Sequence, residues 1–159
     1  MLNAAIRVAG KGGVREIAIQ ELYTGNGKAP LNLQSDEIVT EIVIPAEAAK
    51  GVLTYMKYAN RESIDFPIVG IAFWASPEQN EYRVAYTAVD RKPLRGPNIE
   101  ACLQGRELSD ENIATACGLA AKAAKPVKTS IYSASHKRKM MGLLLRSAAE
   151  KTRIRLSRN

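Results

Sequence analysis

The sequence predicts an α+β fold: an antiparallel sheet of three to four strands first, three helices laid on it last. Up to Val89, apolar residues recur at every second position in short runs broken by turns. After Val89 they recur every third and fourth position behind helix-capping residues. A hydrophobic share of 46% and a charged share of 25% over 159 residues suit one domain with a real core, or at most two small ones.

Taken in order, residues 2–9 and 14–19 read as two strands, with Gly10, Lys11, Gly12 and Gly13 supplying the turn. Residues 20–23 read as a single helical turn, and Thr24–Lys28 as a flexible loop. That loop superficially resembles a phosphate loop but lacks the GxxxxGK[ST] spacing. A weak boundary falls at Pro30–Asp36. Glu37–Ile44 is the clearest strand, with Ile38, Thr40, Ile42 and Ile44 on one face and Glu37, Val39, Glu41 and Val43 on the other. Pro45 ends it.

Residues 52–60 and 68–75 make the next two strands. In the first, Leu53, Tyr55, Lys57 and Ala59 share one face and Thr54, Met56 and Tyr58 the other. A lysine alternating with apolar and aromatic neighbours either snorkels to water or faces a partner that wants a cation. The loop between the strands gathers Asn60, Arg61, Glu62, Ser63 and Asp65. The polar turn Pro77–Glu81 leads to a strand at 82–89. Asn98 then opens a short helix that stops at Gly105, and Ser109 caps a second with Ile113, Ala116, Cys117, Ala120 and Ala124 on its apolar face. A last helix begins near Ser133 or Ser135 and buries Met140, Met141, Leu144, Leu145 and Ala148.

Composition excludes several classes of function. No apolar run approaches the ~20 residues of a membrane helix, and Met1–Arg7 has no basic segment leading into an apolar one. Cys102 and Cys117 are the only cysteines, too few for a disulfide scaffold or a four-cysteine metal site, and a cytoplasmic setting is the expectation. His136 is the only histidine and reads as a surface residue; no nucleophile–base pair or HExxH is visible. Cys117 reads as core. The net charge of +7 concentrates after His136, where Glu150 is the lone acid. That cluster reads as a solvated or partner-facing helix, because no aromatics interleave it as stacking platforms for nucleic acid. The runner-up reading is a small, basic, non-catalytic binding module for nucleic acid or an assembly scaffold.

Four segments in order resemble one family: Gly25–Lys28, Asp36–Pro45, Tyr55–Asp65, and Ser133–Lys139 running into a leucine-rich helix. Together they are similar to the C-terminal part of the FAD-binding (medium) subunit of molybdenum hydroxylases, the xanthine dehydrogenase and carbon monoxide dehydrogenase flavoprotein group. The resemblance implies that residues 1–45 are closing strands of the FAD-binding domain and 46–159 its C-terminal α+β domain. It implies FAD as cofactor, with Val39 touching the flavin ring, Lys57 approaching the ring and favouring the charge near its N1–C2=O edge, and Arg61 and Asp65 shaping the field beside it. It implies an iron–sulfur subunit and a molybdopterin subunit as partners, with electrons passing through FAD to an acceptor such as NAD. The glycine-rich pyrophosphate loops of the family have no match here, so the N-terminal FAD-binding half is expected elsewhere and the chain is expected to be inactive alone. Where the family has a glycine-containing turn after its last strand, this chain reads Tyr86, Thr87, Ala88, Val89.

Overall fold

A computed structural model describes residues 1–61, 64–76, 78–124, 126 and 132–158. Glu62 and Ser63 of the polar loop and Pro77 of the turn lie outside the described residues. The chain divides into two compact units between Lys50 and Gly51, Leu2–Lys50 and Gly51–Asn159, with Met1 grouped with the second. The Pro30–Asp36 loop lies inside the first unit.

In Leu2–Lys50, strands β1 (Ala5–Gly10) and β2 (Gly13–Ala18) form a hairpin, and Gly13 takes the positive φ of +107° that its turn requires. One helical turn, α1 (Ile19–Leu22), follows. The expected flexible loop is instead a second hairpin, β3 (Tyr23–Asn26) with β4 (Ala29–Leu31). Side chains stitch it: Thr24 Oγ1 donates to the Ala29 carbonyl at 2.5 Å, and Asn26 Oδ1 accepts from Lys28 N at 3.0 Å. Strand β5 (Ile38–Val43) pairs antiparallel with β1, giving the order β2-β1-β5. A 3₁₀ helix, Ala46–Lys50, ends the unit. Its core is small: Ile6, Val8 and Leu22 are buried, with Ile17, Ile19, Tyr23 and Leu33 packed against them.

β5 corrects the expected faces. Arg7 pairs with Glu41 but Val8 pairs with Val39, so Thr40 is an extra residue, a β-bulge. Cross-strand partners share a face. The bulge therefore turns Val39 to the face of Ile6, Val8 and Ile42, away from Glu41, with which simple alternation groups it. Glu41 lies with Arg7 on the opposite face and accepts from its guanidinium at 2.6 Å.

In Gly51–Asn159, β6 (Val52–Tyr58), β7 (Val69–Ser76), β8 (Glu81–Thr87) and the two-residue β9 (Leu94–Arg95) form one antiparallel sheet in sequence order. β9 is an addition to the expected strands. Helices α2 (Pro97–Leu103), α3 (Asp110–Ala120) and α4 (Ala134–Leu156) follow. Asn98 does not cap α2; Pro97 takes the first helical position behind Gly96, where its fixed φ suits the helix and its missing N–H costs nothing. Gly105 follows the helix at φ +69°. Ser109 and Ser133 are true caps, accepting from Asn112 N at 3.2 Å and His136 N at 3.1 Å.

Register and burial show which face the helices cover. Val69, Ile71, Phe73 and Ala75 of β7, with Tyr82, Val84 and Tyr86 of β8, join Ile99, Leu103, Ile113, Ala116, Met141, Leu145 and Ala148 in one buried cluster. Thr54, Met56 and Tyr58 lie on the same side of β6, and the buried Thr54 and Thr152 hydroxyls bond at 2.8 Å. The opposite face carries Leu53, Tyr55 and Lys57 of β6. Trp74 also points that way yet is only 1% exposed, with the Arg83 guanidinium 4.4 Å from its ring centroid. A Cβ on Gly51 would come within 2.3 Å of the same indole, so only glycine fits there.

Candidate functional site

Lys57 stands on the helix-free face of β6, opposite Gly70 in the register. A Cβ at Gly70 would meet Thr87 Oγ1 at 2.5 Å and the Tyr55 hydroxyl at 3.1 Å, so the Tyr55 side chain reaches over the space that the glycine leaves. Tyr55 and Leu53 are themselves exposed. The surface is thus a flat apolar shelf with an ammonium beside it.

The loop after β6 sets the position of that ammonium. Lys57 Nζ donates to the Asp65 carbonyl at 3.1 Å. The Asp65 carboxylate accepts from Arg61 N at 3.1 Å and Phe66 N at 2.9 Å, and the Arg61 guanidinium stands 3.7 Å away. Desolvation opposes ionisation of Asp65, but those two N–H groups and then the guanidinium outweigh it and lower its pKa. Arg61 and Asp65 therefore form an ion pair built into the loop, with Arg61 reaching solvent. Lys57, Tyr58, Ala59, Asn60 and Arg61 line an open cleft. The two residues flanking Asp65, Ile64 and Phe66, are 93% and 90% exposed. A shelf, two cations and two exposed apolar side chains can receive a planar, partly anionic, conjugated group.

The residues the sequence misses lie behind this loop. Tyr132 donates its hydroxyl to Asn60 Oδ1 and stacks on His136, with centroids 5.0 Å apart and planes inclined by 25°. Tyr58 completes the cluster, 6.0 Å from Tyr132 and 5.7 Å from His136. Desolvation, then Tyr58 and Asp65, raises the Tyr132 hydroxyl pKa, which keeps it a donor. His136 is half-buried rather than a surface residue, and its Nε2 is buried without a hydrogen-bond partner among the described residues. No spacing rule connects Tyr58 with Tyr132. The aromatic content of the 55–58 strand, together with a tyrosine just before a capped helix, is the one signal that points to them.

The basic C-terminal helix is also less solvated than expected. Lys137 is 3% exposed and donates to the Ala88 carbonyl at 3.2 Å. Ala88 has φ +63°, the left-handed region that favours glycine. Arg153 bonds the Leu108 carbonyl at 3.0 Å and Asp110 at 2.7 Å, and Arg155 the Leu53 carbonyl at 2.8 Å. Arg138, Lys139 and Lys151 remain exposed. Burial raises the Cys117 thiol pKa, in keeping with a packing role.

In the Leu2–Lys50 unit, Val39 is 42% exposed on β5. Arg15 holds Glu37 through two bonds of 2.6 and 2.8 Å, and with the Gln34 N–H it lowers the Glu37 pKa to about 2. No group of three or more His, Cys, Asp or Glu residues among the described residues could hold a metal, and no helix there is long and apolar enough to cross a membrane.

The family match falls within the larger unit, and the matches to solved structures run across nearly the whole chain. The profile of the family described as CO dehydrogenase flavoprotein C-terminal domain matches residues 54–152. Among curated proteins, the chain is similar to the glyceraldehyde dehydrogenase medium chain of Sulfolobus acidocaldarius, 27% identical over 113 residues that make up 69% of this chain and 39% of that one. It is likewise similar to the nicotinate dehydrogenase FAD-subunit of Eubacterium barkeri, 25% identical over 124 residues, 70% of this chain and 40% of that one. Among solved structures, reconstituted CO dehydrogenase from Oligotropha carboxidovorans superposes with a TM-score of 0.85 at 24% identity, over 97% of this chain and 54% of that one. Quinoline 2-oxidoreductase from Pseudomonas putida 86 gives 0.74 at 21% identity, over 97% and 52%. The chain thus spans about half the length of these solved chains, and less of the curated relatives.

Proposed function

The chain belongs to the CO dehydrogenase flavoprotein C-terminal domain family, and from that premise we propose that it is the C-terminal part of the FAD subunit of a molybdenum hydroxylase. The reading assigns residues 1–45 to the end of the FAD-binding domain and 46–159 to the domain that follows. The iron–sulfur subunit, the molybdopterin subunit and the N-terminal FAD-binding half are its partners, and the exposed part of α4 is a docking surface. FAD, when bound, supplies the electron exchange between the iron–sulfur side and an acceptor such as NAD.

The residues present fit that group. Tyr55 over Gly70 offers a planar apolar support, and Lys57 offers an ammonium whose place is set by the Asp65 carbonyl. Lys57 stabilises negative charge brought within its reach, which favours the reduced over the oxidised cofactor. Arg61 adds positive charge at the rim, and Asp65 contacts both cations, Lys57 through its carbonyl and Arg61 through its carboxylate. Val39, in the other compact unit, is proposed separately as an apolar contact to the ring. No side chain here is assigned to the hydroxylation chemistry.

The observation that carries the reading is the Lys57–Asp65 contact beside the exposed Tyr55, whose side chain covers Gly70, within the matched family segment. The chain alone is expected to purify colourless; a stoichiometric visible flavin spectrum would show that it needs no second half. In an assembly reconstituted with an FAD-binding half, Lys57→Ala is expected to lower the flavin midpoint potential and slow its reduction. An unchanged potential would leave the chain an assembly scaffold.

A further inference from the structure

We propose that Tyr132, packed with Tyr58 and His136, is a positioning residue that latches the flavin-side loop and so sets where the Lys57 ammonium stands. The link is continuous within Gly51–Asn159. Ser133 caps α4 through His136 N, which places His136 in the first turn of a 23-residue helix. The Tyr132 ring lies on that imidazole and against Tyr58, so both ends of the cluster rest on regular structure, α4 and β6. From this platform the Tyr132 hydroxyl bonds Asn60, the last residue before Arg61. Arg61 N and Phe66 N close on the Asp65 carboxylate, and the Asp65 carbonyl takes Lys57 Nζ.

Among the described residues, the other bonds that close this loop run within it or to its flanking strand residues Lys57 and Tyr58. Ile64 and Phe66 give almost all their surface to solvent, and Arg61 is 72% exposed at its side chain. A loop that gives such apolar side chains to solvent opens locally at low free-energy cost. Tyr132 ties it to an element more than 70 residues away in sequence. The latch rests on the flavin reading only for its consequence at the cofactor; its structural half stands by itself.

The test uses the full chain, with exchange of individual backbone amides as the readout. Tyr132→Phe keeps the ring and removes the donor; Asn60→Ala removes the acceptor from an exposed position. Each is expected to speed exchange at the Arg61 and Phe66 amides about fivefold or more, with the β7 amides of Ile71 and Phe73 unchanged. The double variant is expected to be no faster than either single, since both remove one bond. Asn60→Asp, which retains the acceptor oxygen, is expected to restore protection. Additive singles, or unchanged Arg61 and Phe66 amides, would overturn the latch. If Tyr132→Phe loosens the whole unit, the Asn60 variants decide the matter. In the reconstituted assembly, Tyr132→Phe should shift the flavin potential in the same direction as Lys57→Ala but by less. A loosened loop together with a potential indifferent to Lys57→Ala would keep the latch and discard the flavin contact.

Discussion

Residues 51–159 join strands and helices in a buried cluster that runs from Ile68 to Ala149, whereas in Leu2–Lys50 the buried cluster is Ile6, Val8 and Leu22. Both units carry ion pairs, in the smaller one Arg7 with Glu16 and Glu41, and Arg15 with Glu37, so charge does not make up the difference. Exposed ion pairs contribute little each, and fewer than about 50 residues cannot remove much apolar surface from water. Its edge strand leaves Ile38, Val39 and Ile42 exposed on top of that. On that contrast the larger unit is expected to be the more stable of the two, and the smaller one, ordered by less, to lose protection first.

The sharpest test sets one core residue against the other. Phe73→Ala, at a fully buried position, is expected to cost about 3–5 kcal/mol of denaturant stability and to weaken amide protection throughout Gly51–Asn159. Ile6→Ala is expected to strip protection from Leu2–Lys50 while the β7 amides hold. Equal loss in both units from either variant would erase the distinction. Next in size, Gly51→Ala forces a methyl into the Trp74 ring and is expected to cost about 1–3 kcal/mol, read as a lower midpoint in urea.

Two smaller effects refine the picture. Ala88→Gly relieves a left-handed alanine and is expected to stabilise the larger unit by about 1 kcal/mol, a gain visible in thermal melting. Acid probes the smaller unit. Glu37 releases its proton more readily folded than unfolded, about 2 against an ordinary 4.5, so its contribution is fully present above 4.5 and disappears as pH falls toward 2. Leu2–Lys50 should lose protection in that window ahead of the larger unit, and Arg15→Gln should flatten the dependence.

How much of this was legible follows from which contacts are local. The faces of β6 were readable because Leu53, Tyr55 and Lys57 alternate strictly with Thr54, Met56 and Tyr58. The buried stripe of α4 was readable from the spacing of Met141, Leu145 and Ala148. Val39 was misplaced because counting by twos assumes a uniform pleat, and one inserted residue at Thr40 resets it. Lys137 reads as part of a solvated charge run, yet it is buried and donates to the carbonyl of Ala88, 49 residues away. Tyr132 and His136 escaped for the same reason: what they touch is distant in sequence, and no periodicity encodes it.

The Trp74–Arg83 pair has a practical consequence. Trp74 is the chain's single tryptophan, and its indole is shielded from water beneath a guanidinium. Intrinsic fluorescence therefore follows the four-stranded sheet without any introduced label, starting from a blue-shifted band that moves to the red as strands β6 to β8 separate. A second emitter placed in the other unit, such as Tyr23→Trp, would give each half of the chain its own optical signal.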